Sequence, residues 1–97
     1  MTKTIKVKDT KHMAKLLGLD ETFAVEAQLK TKMKVKIKEL VEAKGLTHQE
    51  VADLTGVGRT VITGIVNFSI ERVTLDRLVR VLVGLGVEPD ISFKKSA

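Results

Sequence analysis

The segment 21–44, "ETFAVEAQLKTKMKVKIKELVEAK", can be read at two hydrophobic periods. Its centre, "KTKMKVKIK", alternates strictly, as a half-buried strand does. At helical spacing, Leu29, Met33, Ile37, Leu40 and Val41 fall instead on one stripe. The flanks "AVEAQL" and "KELVEAKG" are good helix formers, and Lys44-Gly45 has the form of a helix end. The pattern therefore predicts one helix over 21–44, with its lysines spread around the polar face; the strand is the competing reading.

After Gly45 the local signals become sharper. Thr47 can cap a short helix, and Glu50, three residues on, completes a capping-box pattern. Val51 and Leu54 are expected to face inward from that helix. Gly56 supplies the reversal, because it can adopt a left-handed conformation without a Cβ clash. A second helix is expected from about Arg59 to Asn67, burying Ile62, Ile65 and Val66. "SIERV" reads as a loop. Thr74 caps a further helix, "LDRLVRVLVGLG", in which Leu75, Leu78, Val79 and Leu82 repeat at helical spacing. Pro89 closes that region, and "DISFKK" alternates like a terminal strand. Upstream, residues 1–9 read as an arm and "DTKHMAKLLG" as one or two helical turns stopped by Gly18. Asp20 is a candidate N-cap. The expected organisation is thus an arm with a short helical segment over 1–19 and one domain over 20–97.

Composition narrows this picture. A chain of 97 residues with 43% hydrophobic content fits one small domain, and its three aromatics, all Phe, make the core aliphatic. With no Cys there are no disulfides and no thiolate metal sites, which suits a reducing cytoplasm. The N-terminus has no apolar stretch of the signal-peptide kind, and the run Val81 to Val87 is too short to span a bilayer. A cytoplasmic protein without a membrane partner is expected.

The net charge of +5 is unevenly placed. Residues 1–45 hold eleven lysines against six acids, whereas residues 46–97 hold six basic and six acidic side chains. A basic balance attracts nucleic acid or another anionic surface, although lysines on a helix face also serve simply to solvate it. Catalysis is not expected. His12 and His48 are far apart, Tyr and Cys are absent, and no Asp/His cluster has metal-ligand spacing. The pair Asp20-Glu21 falls at a helix start, where it counters the macrodipole. No catalytic residue, metal or cofactor is assigned.

Within 47–67 the cap, the small Ala52, the turn Gly56-Val57 and the pair Ile62/Ile65 coincide. A small residue at 52 lets a second helix cross closely, and the glycine permits a reversal that sets two axes at about 90–120°. Together with Glu50, Val51 and Asn67, these residues resemble the XRE, or Cro/repressor-like, helix-turn-helix family. The resemblance implies an all-α, lambda-repressor-like five-helix domain with a short C-terminal β-strand pairing across a dimer. The basic leading helix and the C-terminal "TLDRLVRVLVGLGVEPDISFKK" resemble the HigA-type antitoxin branch. That implies a dimeric antitoxin that binds a small basic toxin and represses its own promoter. A stand-alone phage-type repressor shares the same outline. A protein-interaction module without DNA binding is the reading of another class, supported by the net charge of −1 over 46–68.

The resemblance also places the site residues. Arg59, Thr60, Thr63 and Gly64 lie on the face of the second helix that enters the major groove of double-stranded DNA, where a guanidinium can grip guanine O6 and N7. Thr47, His48, Gly58, Asn67, Ser69 and Arg72 are candidate phosphate contacts. Leu82, Leu85, Val87, Ile91 and Phe93 are the candidate dimer residues, and a symmetric dimer implies a two-fold operator. The chain departs from the pattern at several positions. Gly58 replaces a capping Ser or Thr, His48 a Gln, and Phe68 a Gly, while Val41 and Val66 stand where some members pair Arg with Glu. Gly64, in mid-helix, reads either as close approach to the groove or as tight packing against a neighbour.

Overall fold

The computed structural model describes residues 21–70, 72–93 and 95. The expected arm, the short helical segment before Gly18 and the Asp20 cap all fall outside these residues. Four helices are present among the described residues: α1 (Glu21–Lys44), α2 (His48–Thr55), α3 (Arg59–Val66) and α4 (Leu75–Gly84). The ambiguous lysine-rich segment is helical throughout, so the 3.6-residue period and the helix-forming flanks prevail over the local alternation. Residues 91–93 form no strand within the single chain. Two compact units divide the chain, Met1–Lys32 and Met33–Ala97, and the division falls inside α1.

Residues 21–32 are helical, with Ala24 buried and Thr31 Oγ1 donating to the Ala27 carbonyl at 2.9 Å. Leu29, expected on the buried stripe, is exposed. A helical period assigns a residue to a face, but burial also needs a neighbour to cover that face.

The second unit holds the core. Ile37 and Val41 of α1 join Val51 and Ala52 of α2, Ile62, Ile65 and Val66 of α3, Val73, and Leu78, Val81 and Leu82 of α4. Gly45 ends α1, with Leu46 N–H donating to the Val41 carbonyl at 3.1 Å. Both halves of the expected capping box close at α2: Glu50 N–H donates to Thr47 Oγ1 at 3.1 Å, and Thr47 N–H donates to Glu50 Oε1 at 2.8 Å. Gly56 then takes φ 75°, and its N–H donates to the Ala52 carbonyl at 2.8 Å, so the chain reverses directly into α3. Thr74 caps α4 through its hydroxyl, which accepts from Arg77 N–H.

Two inward positions differ from expectation. Leu54 points to solvent, and the buried face of α2 is made by Val51, Ala52 and Thr55. On α4, Val79 is at the surface and the buried stripe runs Leu78, Val81, Leu82, continued by Leu85 just past the helix end. Apolar residues occupy so much of α4 that two staggered stripes have the same spacing, and packing against α2 selects one of them. The two helices approach closely. A Cβ on Gly84 would lie 2.6 Å from Thr55 Cγ2 and 3.1 Å from Thr55 Cα. Buried Thr55 satisfies its own hydroxyl, which donates to the Val51 carbonyl at 2.8 Å and accepts from Val57 N–H at 3.2 Å.

Candidate nucleic-acid interface

Helix α3 is held from below and open above. Ile62 and Ile65 are fully buried, which fixes its rotation and leaves Arg59 and Thr60 exposed at its first turn. Gly58 precedes it in an extended conformation (φ −58°, ψ 146°) with no side-chain cap, and there is open space where its Cβ would stand. Arg59, Thr60, Thr63, Gly64 and Ser69 line a shallow hollow of about 370 Å³ along this face. Five of the expected site residues, from two segments of the chain, therefore share one surface. Thr47, Asn67 and Arg72 are exposed but lie outside the hollow.

Two of these side chains are tied to each other. His48 Nδ1 and Thr63 Oγ1 share a hydrogen bond of 2.7 Å, which links the first residue of α2 to the outer face of α3. Both are half-buried. The bond engages the Thr63 hydroxyl.

Gly64 requires a correction. It is buried, and a Cβ there would stand 2.8 Å from Ile70 Cβ and 3.0 Å from Ile70 Cγ2. Its carbonyl accepts from Ser69 N–H at 2.9 Å and Ile70 N–H at 3.3 Å. The glycine is there so that the segment after α3 can fold back over the helix, and only its backbone contributes to the hollow. Lys34 Nζ secures the same segment from α1, donating to the Ile70 carbonyl at 3.0 Å. The dimer set also changes. Leu82 and Leu85 are buried in the chain's own core and Val87 is half-buried, whereas Ile91 and Phe93 are exposed.

A capped first helix, a left-handed glycine and a second helix with an exposed first turn together form a helix-turn-helix. A family model described as a helix-turn-helix domain matches residues 13–94. The chain belongs to the helix-turn-helix domain family. No curated protein and no solved structure matches it. The match spans all four helices, so the domain includes the α2–α4 packing as well as the turn.

The second helix of this helix-turn-helix domain ends in an unusual way. Phe68 N–H donates to the Ile65 carbonyl at 3.1 Å while Ser69 N–H reaches Gly64, the two bonds of a Schellman closure. Phe68 takes φ 56° there, a conformation that favours glycine, and its ring is about half exposed. Phe68→Gly should be more stable than Phe68→Ala by about 1 kcal/mol. Both variants lack the ring, so the difference reads the backbone alone. Equal urea midpoints for the two would show that no strain resides at position 68.

The domain also places two arginines beside α3 that were not among the expected site residues. A second cleft, of about 200 Å³, is lined by Gly56, Val57, Gly58, Val61, Arg77 and Arg80. The spacing of 77 and 80 puts both on one face of α4. Nothing local in the sequence brings that face to the turn before α3.

Proposed function

We propose that this helix-turn-helix domain is a sequence-specific DNA-binding transcriptional regulator that acts as a dimer on a two-fold operator. The observation that carries the reading is the exposed first turn of α3, where Arg59 and Thr60 border an open hollow with no acidic side chain among its described lining residues. Helix-turn-helix domains insert the N-terminal end of this helix into the major groove. In this reading Arg59, Thr60 and Thr63 meet base edges, while Thr47, His48, Gly58, Asn67, Ser69 and Arg72 follow the sugar-phosphate backbone. The protein works in the cytoplasm and catalyses no reaction. No described helix is long and apolar enough to cross a membrane.

Self-association is supported by apolar side chains left at the surface. Val79 and Val83 are exposed one turn apart on α4, and Ile91 and Phe93 are exposed in the C-terminal segment. The alternation of "DISFKK" suits a strand that forms only when a second copy supplies its partner. Val79 and Val83 take the place of buried Leu82 and Leu85 in the proposed contact, beside Val87, Ile91 and Phe93. The resemblance to HigA-type antitoxins supports the finer role: a repressor of its own promoter that also binds a small basic toxin.

The test is a gel shift with DNA from upstream of the gene, set against a scrambled duplex of equal length. A shift confined to the upstream DNA at low protein concentration, with a dimer in sedimentation, supports the reading. Equal and negligible affinity for both duplexes would overturn it and favour a protein-interaction module. Co-purification with the product of the adjacent gene separates an antitoxin from a stand-alone repressor.

A further inference from the structure

The order of charges along the chain hides a basic site that the fold assembles. Segment 46–68, which contains the helix-turn-helix, has one arginine against two acids. In the folded domain, Arg77 and Arg80 of α4 stand beside the turn Gly56–Gly58 and line the cleft of about 200 Å³. Arg59 lines the separate hollow along α3, so three arginines border the two hollows at that helix. Among the described residues, no acidic side chain lines either hollow.

Both α4 guanidinium groups are exposed, and among the described residues neither makes an ion pair or a side-chain hydrogen bond. At i and i+3 they are neighbours on one helix face, where like charges repel. Burial of Leu78, Val81 and Leu82 fixes the rotation of α4 and so keeps both arginines on this side. Across the cleft, Gly56 and Gly58 have open space where a side chain would stand, so the main chain there is bare and approachable. A cleft lined by two arginines that are unpaired among the described residues, and by uncovered backbone, suits a compact anion with several acceptor oxygens.

We propose that Arg77 and Arg80 form a phosphate clamp that grips the DNA backbone next to the groove entered by α3. The proposal rests on the DNA-binding reading above and adds α4 to the contact surface. One duplex supplies both ligands, because base edges meet Arg59 at one hollow while a phosphodiester meets the arginine pair at the other. A clamp of this kind sets affinity and register without reading sequence.

The test measures affinity for the upstream duplex and for a scrambled duplex over a range of salt concentrations. Wild type is compared with Arg77→Ala, Arg80→Ala, the double variant and the double Arg→Lys variant. The slope of log affinity against log salt should become shallower by about 0.9 for each phosphate that is no longer neutralised, on both duplexes alike. The preference between the duplexes should stay as in wild type, and the lysine variant should retain most of the slope because it keeps the charge. Thermal unfolding midpoints check that these surface changes leave the fold intact. If wild type binds the upstream duplex and the double alanine variant binds it with the same slope, the clamp is overturned and the DNA reading stands. Wild type that binds neither duplex overturns both. Loss of preference for the upstream duplex in the alanine variants would overturn the clamp in favour of base readout by α4.

Discussion

Replacing Gly84 by alanine is expected to lower the stability of the domain by about 1–3 kcal/mol, the usual range for overpacking a filled site. Helix propensity alone predicts the opposite, since alanine in a helix is favoured over glycine by up to about 1 kcal/mol. Position 84 is the last residue of α4 and has no left-handed backbone requirement. What opposes the methyl group is α2. The new Cβ would stand 2.6 Å from Thr55 Cγ2, which a side-chain shift could relieve, but also 3.1 Å from Thr55 Cα, which only a backbone shift can relieve. Thr55 itself is held in place by hydrogen bonds to the Val51 carbonyl and from Val57 N–H. The helices must therefore separate, and the core between them packs less densely. In a chain of 97 residues the total is about 5–15 kcal/mol, so the change is a large share of it. A second substitution isolates the cause. Thr55→Ser removes Cγ2 and keeps the hydroxyl, so it should recover part of the loss in the Gly84→Ala background. A Gly84→Ala protein that unfolds at the wild-type urea concentration or above it would show that α2 and α4 do not meet so closely.

On the proposed DNA-binding reading, Arg59→Ala is expected to cost about 1–3 kcal/mol of discrimination at one base position, against little change in stability. Arg59 is exposed at the first turn of α3, and among the described residues its side chain makes no ion pair or hydrogen bond. Its removal thus disturbs no ion pair or side-chain hydrogen bond among the described residues. Its weight is raised by what surrounds it. Gly64 offers no side chain, and Thr63 is engaged by His48, so Arg59 is the longest free donor on the reading face. Binding profiles over single-base variants of the operator should flatten at one position and keep their shape elsewhere. Arg59→Lys should restore overall affinity better than discrimination, because an ammonium lacks the planar fork that matches guanine. A profile identical to wild type would remove Arg59 from base readout.

The contrast between the two hollows at α3 also gives the proposed clamp a distinct signature. Arg59 variants change which sequence is preferred. Arg77 and Arg80 variants change how steeply salt weakens binding to any sequence.

Much of this domain was legible because its decisive signals are local. The capping box of Thr47 and Glu50, the turn at Gly56 and the Thr74 cap each depend on residues no more than four apart, and all three form as their spacing implies. The long helix was legible for a related reason, since its flanks are strong helix formers and a strand of nine residues would have stood between them without a turn. The inward faces were only partly legible. Ile62, Ile65 and Val66 are buried as their period implies, yet Leu29, Leu54 and Val79 are exposed although they fit a stripe equally well. Periodicity fixes side chains relative to the axis of their own helix, whereas the covered side depends on neighbours distant in sequence.

The same division applies to the candidate site. The sequence by itself determined the four helices, their caps, the helix-turn-helix order and the exposed Arg59–Thr60 turn, because hydrogen bonding and helical spacing act within a few residues. Only the tertiary structure decided that Gly64 is a seat for Ile70, that His48 holds Thr63, and that Leu82 and Leu85 belong to the core. It also decided the electrostatics of α3. Arg77 and Arg80 lie beyond the near-neutral segment that contains the turn, and the packing of α4 against α2 carries their charge to it. Coulomb interactions depend on distance through space, which the order of residues along the chain does not specify.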